Sequence, residues 1–375
     1  MPMLYFDYAA NTPACAEALE TFFQVTRDFI ANPNSAHPLG EAARARLAEA
    51  TEQTASLLGV KPEEIIFTSG ASEANNLAIK GAAGQYRARG KHIVTTWLEH
   101  SSVNGAASAL QERGYEVDYA ELDENGLVDP ESLGELLRDD TVLVSVCMVD
   151  SEVGIRQNIP ALAKIVHSKP NCLFHVDATQ AAGKLPLSLD GVDLLTFGAH
   201  KFYGLNGCGA LVRRESVLLE PQIQGGGSAT EFRSGTPPLG LIASTAAALD
   251  TAYRTMNERY AYVSGLNRRL REVLSRYDRV RINSTKESVP FILNLSVAGV
   301  RGEQFQSAMA EKGVCLSTKS ACCAPNTPSR SVYALTKDRR AALSTLRISL
   351  SHLTAPEEIE TLLRAFDECY AKLVK

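Results

Sequence analysis

Short apolar runs alternate with segments of helical spacing over the first two-thirds of the chain. Residues 41–58 set Ala42, Ala45, Leu47, Ala48, Ala55 and Leu58 in a loose stripe, which predicts a helix. Residues 64–67 read as a strand, and 69–80 turn and become a helix. Further strands are expected at 92–96, 117–120, 141–148, 172–176 and 194–197, with helices at 103–113, 130–138 and 159–168. Pro130 opens its helix, where the missing N–H costs nothing and the fixed φ already suits. This alternation predicts an α/β fold with a mostly parallel sheet covered on both faces. Ligands in such folds bind beyond the carboxyl ends of the strands, so chemistry should follow each apolar run. A long Ala- and Arg-rich helix is expected from 242 to about 277, then a strand at 291–295, a helix at 302–311, a strand at 346–350 and a closing helix at 356–372. The expected division is a large domain of residues 15–255, with 1–14 and 256–375 forming a smaller α+β domain.

Composition narrows the class. The 375 residues are 45% hydrophobic and 22% charged, with a net charge of −5. No basic arm or run of like charge points to direct nucleic-acid or membrane binding. No stretch of about eighteen apolar residues could span a bilayer, and the start lacks the basic and apolar regions of a signal peptide. A cytoplasmic enzyme is the expectation. The eight cysteines are scattered, without CxxC pairs, so neither a disulfide framework nor a structural zinc site is expected.

Five segments carry candidate chemistry. Thr68-Ser69-Gly70-Ala71-Ser72-Glu73 runs from a strand through small residues into a helix. Free N–H groups and the helix dipole make such a turn an anion site, although a helix N-cap by Ser69 or Ser72 accounts for the same residues. His100, just past a strand, suits stacking on a planar ligand or simple surface exposure. Asp177 ends a strand, where a carboxylate keeps a pyridinium nitrogen protonated and its ring an electron sink, or else caps a helix. Lys201 follows a strand and a tight turn. A lysine held in a crevice is desolvated, which frees its amine for Schiff-base chemistry. Asp177 and Lys201 stand 24 residues apart (201 − 177) on successive strand ends, a span that suits opposite edges of one aromatic ring. Ser320-Ala321-Cys322-Cys323-Ala324-Pro325 opens a turn-rich loop, the setting of a reactive thiol or of an incidental pair.

In order along the chain stand Asp7-Tyr8-Ala9-Ala10, Thr68-Ser69-Gly70-Ala71-Ser72-Glu73, Glu99-His100, His175-Val176-Asp177-Ala178-Thr179-Gln180, His200-Lys201, Arg233-Ser234-Gly235-Thr236 and Ser320-Ala321-Cys322. This ordered set resembles the NifS/IscS-type cysteine desulfurases, fold-type I pyridoxal-phosphate enzymes of the class V aminotransferase group, from about residue 4 to 370. The resemblance implies that Lys201 holds pyridoxal 5′-phosphate as a Schiff base and moves the Cα proton. It places Asp177 at the pyridine nitrogen, Gln180 at the ring hydroxyl and His100 on the ring face, counted with Lys201 and Cys322 as catalytic. Ala71, Ser72 and His200 would hold the phosphate. Thr236 would reach the partner subunit's phosphate, which implies a homodimer. Arg347 would clamp the carboxylate of L-cysteine, with Ser151 beside it. Cys322 would take the sulfur as a persulfide and pass it to a protein acceptor, an iron–sulfur scaffold or a tRNA-thiolation enzyme.

Four residues, at three places along the chain, depart from the family pattern. Asp150-Ser151-Glu152 stands where Asn-Asn-Glu is usual, Gly198 where a phosphate-binding Ser is common, and Lys319 where Gly often precedes Ser-Ala-Cys. Lys319 is expected to lower the Cys322 pKa. Two other readings use overlapping residues: a selenocysteine lyase, C–S lyase or aminotransferase of the same fold, and a non-catalytic assembly partner that kept the fold.

Overall fold

The computed structural model describes residues 3–320 and 327–374. A seven-stranded sheet forms the centre, in the spatial order Ile65–Thr68, Gly209–Arg213, Leu194–Gly198, Leu173–Asp177, Thr141–Cys147, His92–Thr96, Glu116–Ala120. Gly209–Arg213 runs antiparallel to both its neighbours, and the other pairings are parallel. Thr141–Cys147 and Leu194–Gly198 are buried along their whole length, as expected for strands covered on both faces.

The connections are short and chemically specified. Helix Pro38–Leu58 starts with a proline behind a His37 cap and stops at Gly59, whose φ of +67° only glycine adopts readily. Strand Ile65–Thr68 passes through Ser69 and Gly70, at φ +152°, into helix Ala71–Gln85. Glu73 accepts the Ser69 N–H at 2.8 Å and pairs with Arg233 at 2.9 Å, so the turn is tied to the segment that carries Thr236.

A three-stranded antiparallel sheet (Thr345–Ser349, Ile292–Val297, Val280–Ile282) lies in the C-terminal third. The N-terminal strand Leu4–Tyr5 pairs in parallel with Val314–Cys315, and Asp7 bridges to Ser349. One apolar cluster runs through both halves, from Val144, Phe174 and Phe197 to Leu295, Ile348 and Phe366. Helix Leu239–Leu274 packs against Ala16–Asp28 and Pro38–Leu58, and also against the C-terminal helix Pro356–Leu373. The expected boundary at 255 falls inside this helix.

Candidate active site

A cleft of about 340 Å³ opens at the carboxyl ends of the parallel strands. Ala71, Ser72, His100, Ser151, Asp177, Gln180, His200, Lys201 and Arg347 all line it. Asp177 and Lys201 follow strands that are direct neighbours in the sheet, with Asp177 paired to Thr196.

The Lys201 turn is pinned by the N-terminal segment. The Thr12 hydroxyl donates to the His200 carbonyl at 2.8 Å and accepts the Tyr203 N–H at 2.8 Å. Tyr203 is held at φ +70°, a strained conformation for a bulky residue and one that persists only where surroundings enforce it. Lys201 Nζ donates to the carbonyls of Ala9 and Ala10, both at 2.7 Å. Burial and the nearby positive charge of Lys201 push His200 down to about 4, so it is a neutral imidazole at physiological pH.

Asp177 is fixed by a buried network that the sequence did not reveal. Asn75 Nδ2 donates to Asp177 Oδ2 and to Ser102 Oγ, both at 2.9 Å, and Asn75 Oδ1 accepts from the Thr196 hydroxyl. Thr196 in turn contacts His175 Nε2 at 3.2 Å, and Ser145 contacts His175 Nδ1 at 2.8 Å. Burial pushes His175 down to about 4, so it is neutral, and the direction of the chain places its proton on Nε2. The Ser102 hydroxyl, accepting from Asn75, donates to His100 Nδ1 at 2.8 Å, and the Ser102 N–H donates to the same nitrogen at 3.2 Å. Burial lowers the His100 pKa. With two donors on Nδ1, the neutral ring carries its proton on Nε2. Asn75 was legible only as part of a small-residue turn; its partner is 102 residues away.

The anion-type turn is packed tightly from beneath. A Cβ at Gly209 would stand 2.6 Å from the Phe197 carbonyl oxygen and 2.7–2.8 Å from Gly70 backbone atoms. A Cβ at Gly198 would meet His200 Cε1 at 3.3 Å and Ala71 at 3.4 Å. At the far wall, Arg347 is buried, with Nη2 on Asp7 Oδ1 at 2.7 Å and Nη1 on the Ser151 carbonyl at 2.9 Å. Ser151 therefore contributes its backbone oxygen to the orientation of Arg347. Gln180 donates to the Ala9 carbonyl at 2.8 Å and accepts from Lys184 Nζ at 3.1 Å. Burial, with Lys201 and Arg347 nearby, brings Lys184 down to about 7.

Two buried polar groups on cleft residues, Thr179 Oγ1 and Arg347 Nε, have no partner among the described residues. Such groups suit a polar, anionic ligand. With a lysine amine, an oriented carboxylate and free N–H groups at the start of a 15-residue helix, the residues present fit a phosphorylated, nitrogen-heterocyclic aldehyde. Thr236 is not brought to this cleft; it accepts from Asn32 Nδ2 at 3.4 Å. Cys322 lies outside the described residues.

The aminotransferase class-V family model matches residues 4–362. A cysteine desulfurase IscS of Neisseria gonorrhoeae is 39% identical over 368 residues, covering 95% of this chain and 89% of the relative. A solved structure of a NifS-like protein superposes with a TM-score of 0.93 at 34% identity, covering 99% of this chain and all of the other. A second solved structure, of SspA in complex with cysteine, gives 0.79 at 32% identity, covering 92% and 98%.

Proposed function

The chain belongs to the aminotransferase class-V family and, within it, to the cysteine desulfurases, and from that premise we propose how its own residues divide the reaction. L-Cysteine and an enzyme thiol give L-alanine and an enzyme persulfide: the substrate Cβ–S bond and the thiol S–H bond break, an S–S bond and a Cβ–H bond form, and the carbon is reduced as the sulfur is oxidised. The cofactor is pyridoxal 5′-phosphate, which supplies an electron sink when bound. Asp177, held by Asn75 and by the Thr179 N–H at 2.9 Å, presents a fixed carboxylate for the cofactor's ring nitrogen. Gln180 would face the ring hydroxyl, and Ala71, Ser72 and the neutral His200, all lining the cleft, would hold the phosphate.

Lys201 anchors the cofactor and moves the proton at the substrate Cα. His100, on the cleft wall, would cover the ring and offer Nε2–H as a donor. Arg347 receives the substrate carboxylate, since its five N–H groups exceed the two bonds it makes to Asp7 and Ser151. Cys322 takes the sulfur. The observation that carries this reading is the placement of Lys201 and Asp177 on adjacent strand ends, with Arg347 on the same cleft.

Thr236 serves the partner subunit's cofactor in a homodimer. In support, it lies outside its own cleft, and the apolar side chains Phe23, Ile30 and Leu39 stand exposed in the neighbouring N-terminal segments. The persulfide passes to a protein thiol, on an iron–sulfur scaffold or a tRNA-thiolation enzyme. No helix among the described residues is long and apolar enough to cross a membrane. Free thiols at Cys15, Cys147, Cys172, Cys208, Cys315 and Cys369 support a reducing, cytoplasmic setting. We read residues 15–255 as the cofactor-binding unit and the remainder as the unit that carries Cys322.

The test is turnover of L-cysteine with alanine and sulfide both quantified. Equal yields are expected. Lys201→Ala should abolish both products. Cys322→Ser should abolish sulfide release driven by dithiothreitol, and full release from that variant would refute the persulfide route.

A further inference from the structure

Gln180 and Lys184 lie in the tight segment that follows strand Leu173–Asp177. The N–H groups of Ala181 and Ala182 donate to the Ala178 carbonyl, both at 2.8 Å, and those of Lys184 and Leu185 to the Ala181 carbonyl, both at 2.9 Å. Turns of this kind put residues four apart on one side of the chain, as in a helix. Gly183 permits the close packing here: its φ is +69°, and a Cβ would stand 2.7 Å from Phe202. Lys184 is buried, 8% exposed, and its Nζ donates to Gln180 Oε1 at 3.1 Å. The other titratable groups facing it are Lys201 and Arg347, with Tyr8, Tyr203, Arg259 and His352 around a small cavity behind; none of these is a carboxylate. Burying an amine without an ion pair works against stability, so packing alone does not account for a lysine at this position.

A carboxamide has an acceptor end and a donor end of nearly the same shape. At Gln180 the two ends are told apart. Lys184 Nζ, which carries N–H bonds whether charged or neutral, donates to Oε1. Nε2 donates to the Ala9 carbonyl at 2.8 Å, the same oxygen that accepts from Lys201 Nζ. Gln180 lines the cleft, so its second Nε2–H is the group left for a ligand there. We propose that Lys184 is a positioning residue that holds the Gln180 amide oxygen away from the cleft, so that the amide meets the cofactor's ring oxygen as a donor. The inference rests on the placement of Gln180 at the ring hydroxyl. A donated N–H takes up part of that oxygen's negative charge, and the oxygen then holds a neighbouring proton less strongly. Through Gln180, Lys184 thus acts on the proton that Lys201 Nζ carries in the loaded enzyme.

The test is a double-mutant cycle in the full-length holoenzyme: Lys184→Met, Gln180→Ala and the pair. In the loaded enzyme the visible absorption follows the proton on Lys201 Nζ, and its midpoint in a pH titration is the readout. Gln180→Ala should raise that midpoint by about 0.5–1 unit, the effect of losing one hydrogen bond. Lys184→Met should raise it by at least ~0.3 unit, because the released amide spends part of its time with its oxygen towards the cleft. In the Gln180→Ala background, less than about a third of the Lys184→Met shift should remain, since an effect that passes through one residue disappears with it. If Lys184→Met does not fold, Lys184→Gln, whose side chain ends one atom short of Gln180, must shift the midpoint in the same direction, or the proposal fails. No shift in Lys184→Met, a downward shift, or the same shift with and without Gln180 would overturn the proposal and leave Gln180 at the ring hydroxyl. An unmoved midpoint in Gln180→Ala would instead overturn that placement, and this inference with it.

Discussion

Replacing Asp150 by asparagine should stabilise the protein at neutral pH and lose that advantage in acid. Asp150 is fully buried, and burial together with the neighbouring Glu152 raises its pKa from 3.8 to about 6. The folded state therefore holds this proton more tightly than the unfolded chain does. The stability tied to that proton is fully present below pH ~4 and is lost as the pH rises through ~6. A shift of about two units at ~1.4 kcal/mol each makes the ionised carboxylate cost ~3 kcal/mol at pH 7.5, and about half of that at pH 5. Asparagine removes the titration and keeps the contacts: its oxygen can accept the three backbone N–H groups while its amide faces Ser331. Unfolding entropy of roughly 2.1 cal/mol/K per residue converts ~3 kcal/mol into about 4 °C for a chain of this length. Weaker bonds to a neutral oxygen will reduce this, so a gain of about 2–4 °C is expected. The assay is the melting midpoint of both proteins between pH 5 and 8.5, at one scan rate, protein concentration and cofactor load. A lower midpoint for Asp150→Asn at pH 7.5, or a gap that does not narrow towards pH 5, would refute the reasoning.

Glu99→Gln should be nearly silent at pH 7, because burial raises the Glu99 pKa to about 8 and the carboxyl is already neutral; activity within twofold and an unchanged melting midpoint are the checks. Gly209→Ala should lower cofactor affinity and stability by at least ~2 kcal/mol, since the new methyl meets backbone that cannot yield. Gly105→Ala, on helix Ser101–Gln111 with nothing within 4 Å, should instead stabilise by ~0.5–1 kcal/mol, and equal effects from the two would contradict the packing argument. Asn75→Ala should weaken cofactor binding by about 2–3 kcal/mol, read by titration of cofactor absorbance, because it leaves a carboxylate oxygen and two hydroxyls without their partner.

The local part of the fold was legible, and the long-range part was not. Strand His92–Thr96 and helix Gly302–Glu311 fall where the apolar spacing puts them. Helix Ala16–Asp28 was missed although Ala18, Phe22 and Val25 fall at helical spacing on one face, because exposed Leu19 and Phe23 blur the edge of that stripe. Strand Gly209–Arg213 hid behind a glycine-rich approach, yet its insertion between Ile65–Thr68 and Leu194–Gly198 sets the floor of the anion turn. Asp177, Lys201 and Arg347 were identified as residues but not as parts of circuits. The partners that orient them, Asn75, Ala9, Ala10 and Asp7, lie 102, 192, 191 and 340 residues away, and no spacing rule connects positions that far apart.

The departures from the family pattern become intelligible once they are placed in space. Gly198 sits under the anion turn, where a side chain would press on His200 and Ala71. The other three gather on the sulfur side. Ser151 meets Arg347 through its backbone oxygen, which side-chain substitution does not touch. Asp150 and Lys319 both add a charge where the family pattern has none, and each bonds a residue that follows Cys322 in the chain, Ser331 and Thr327. A carboxylate at 150 brings a second negative charge close to Glu152, a destabilising choice for a buried turn. The cofactor side is built from strand ends and crossed bonds that leave little freedom to vary. The wall around Ser320 is held instead by a few charged anchors, Asp150, Glu152 and Lys319.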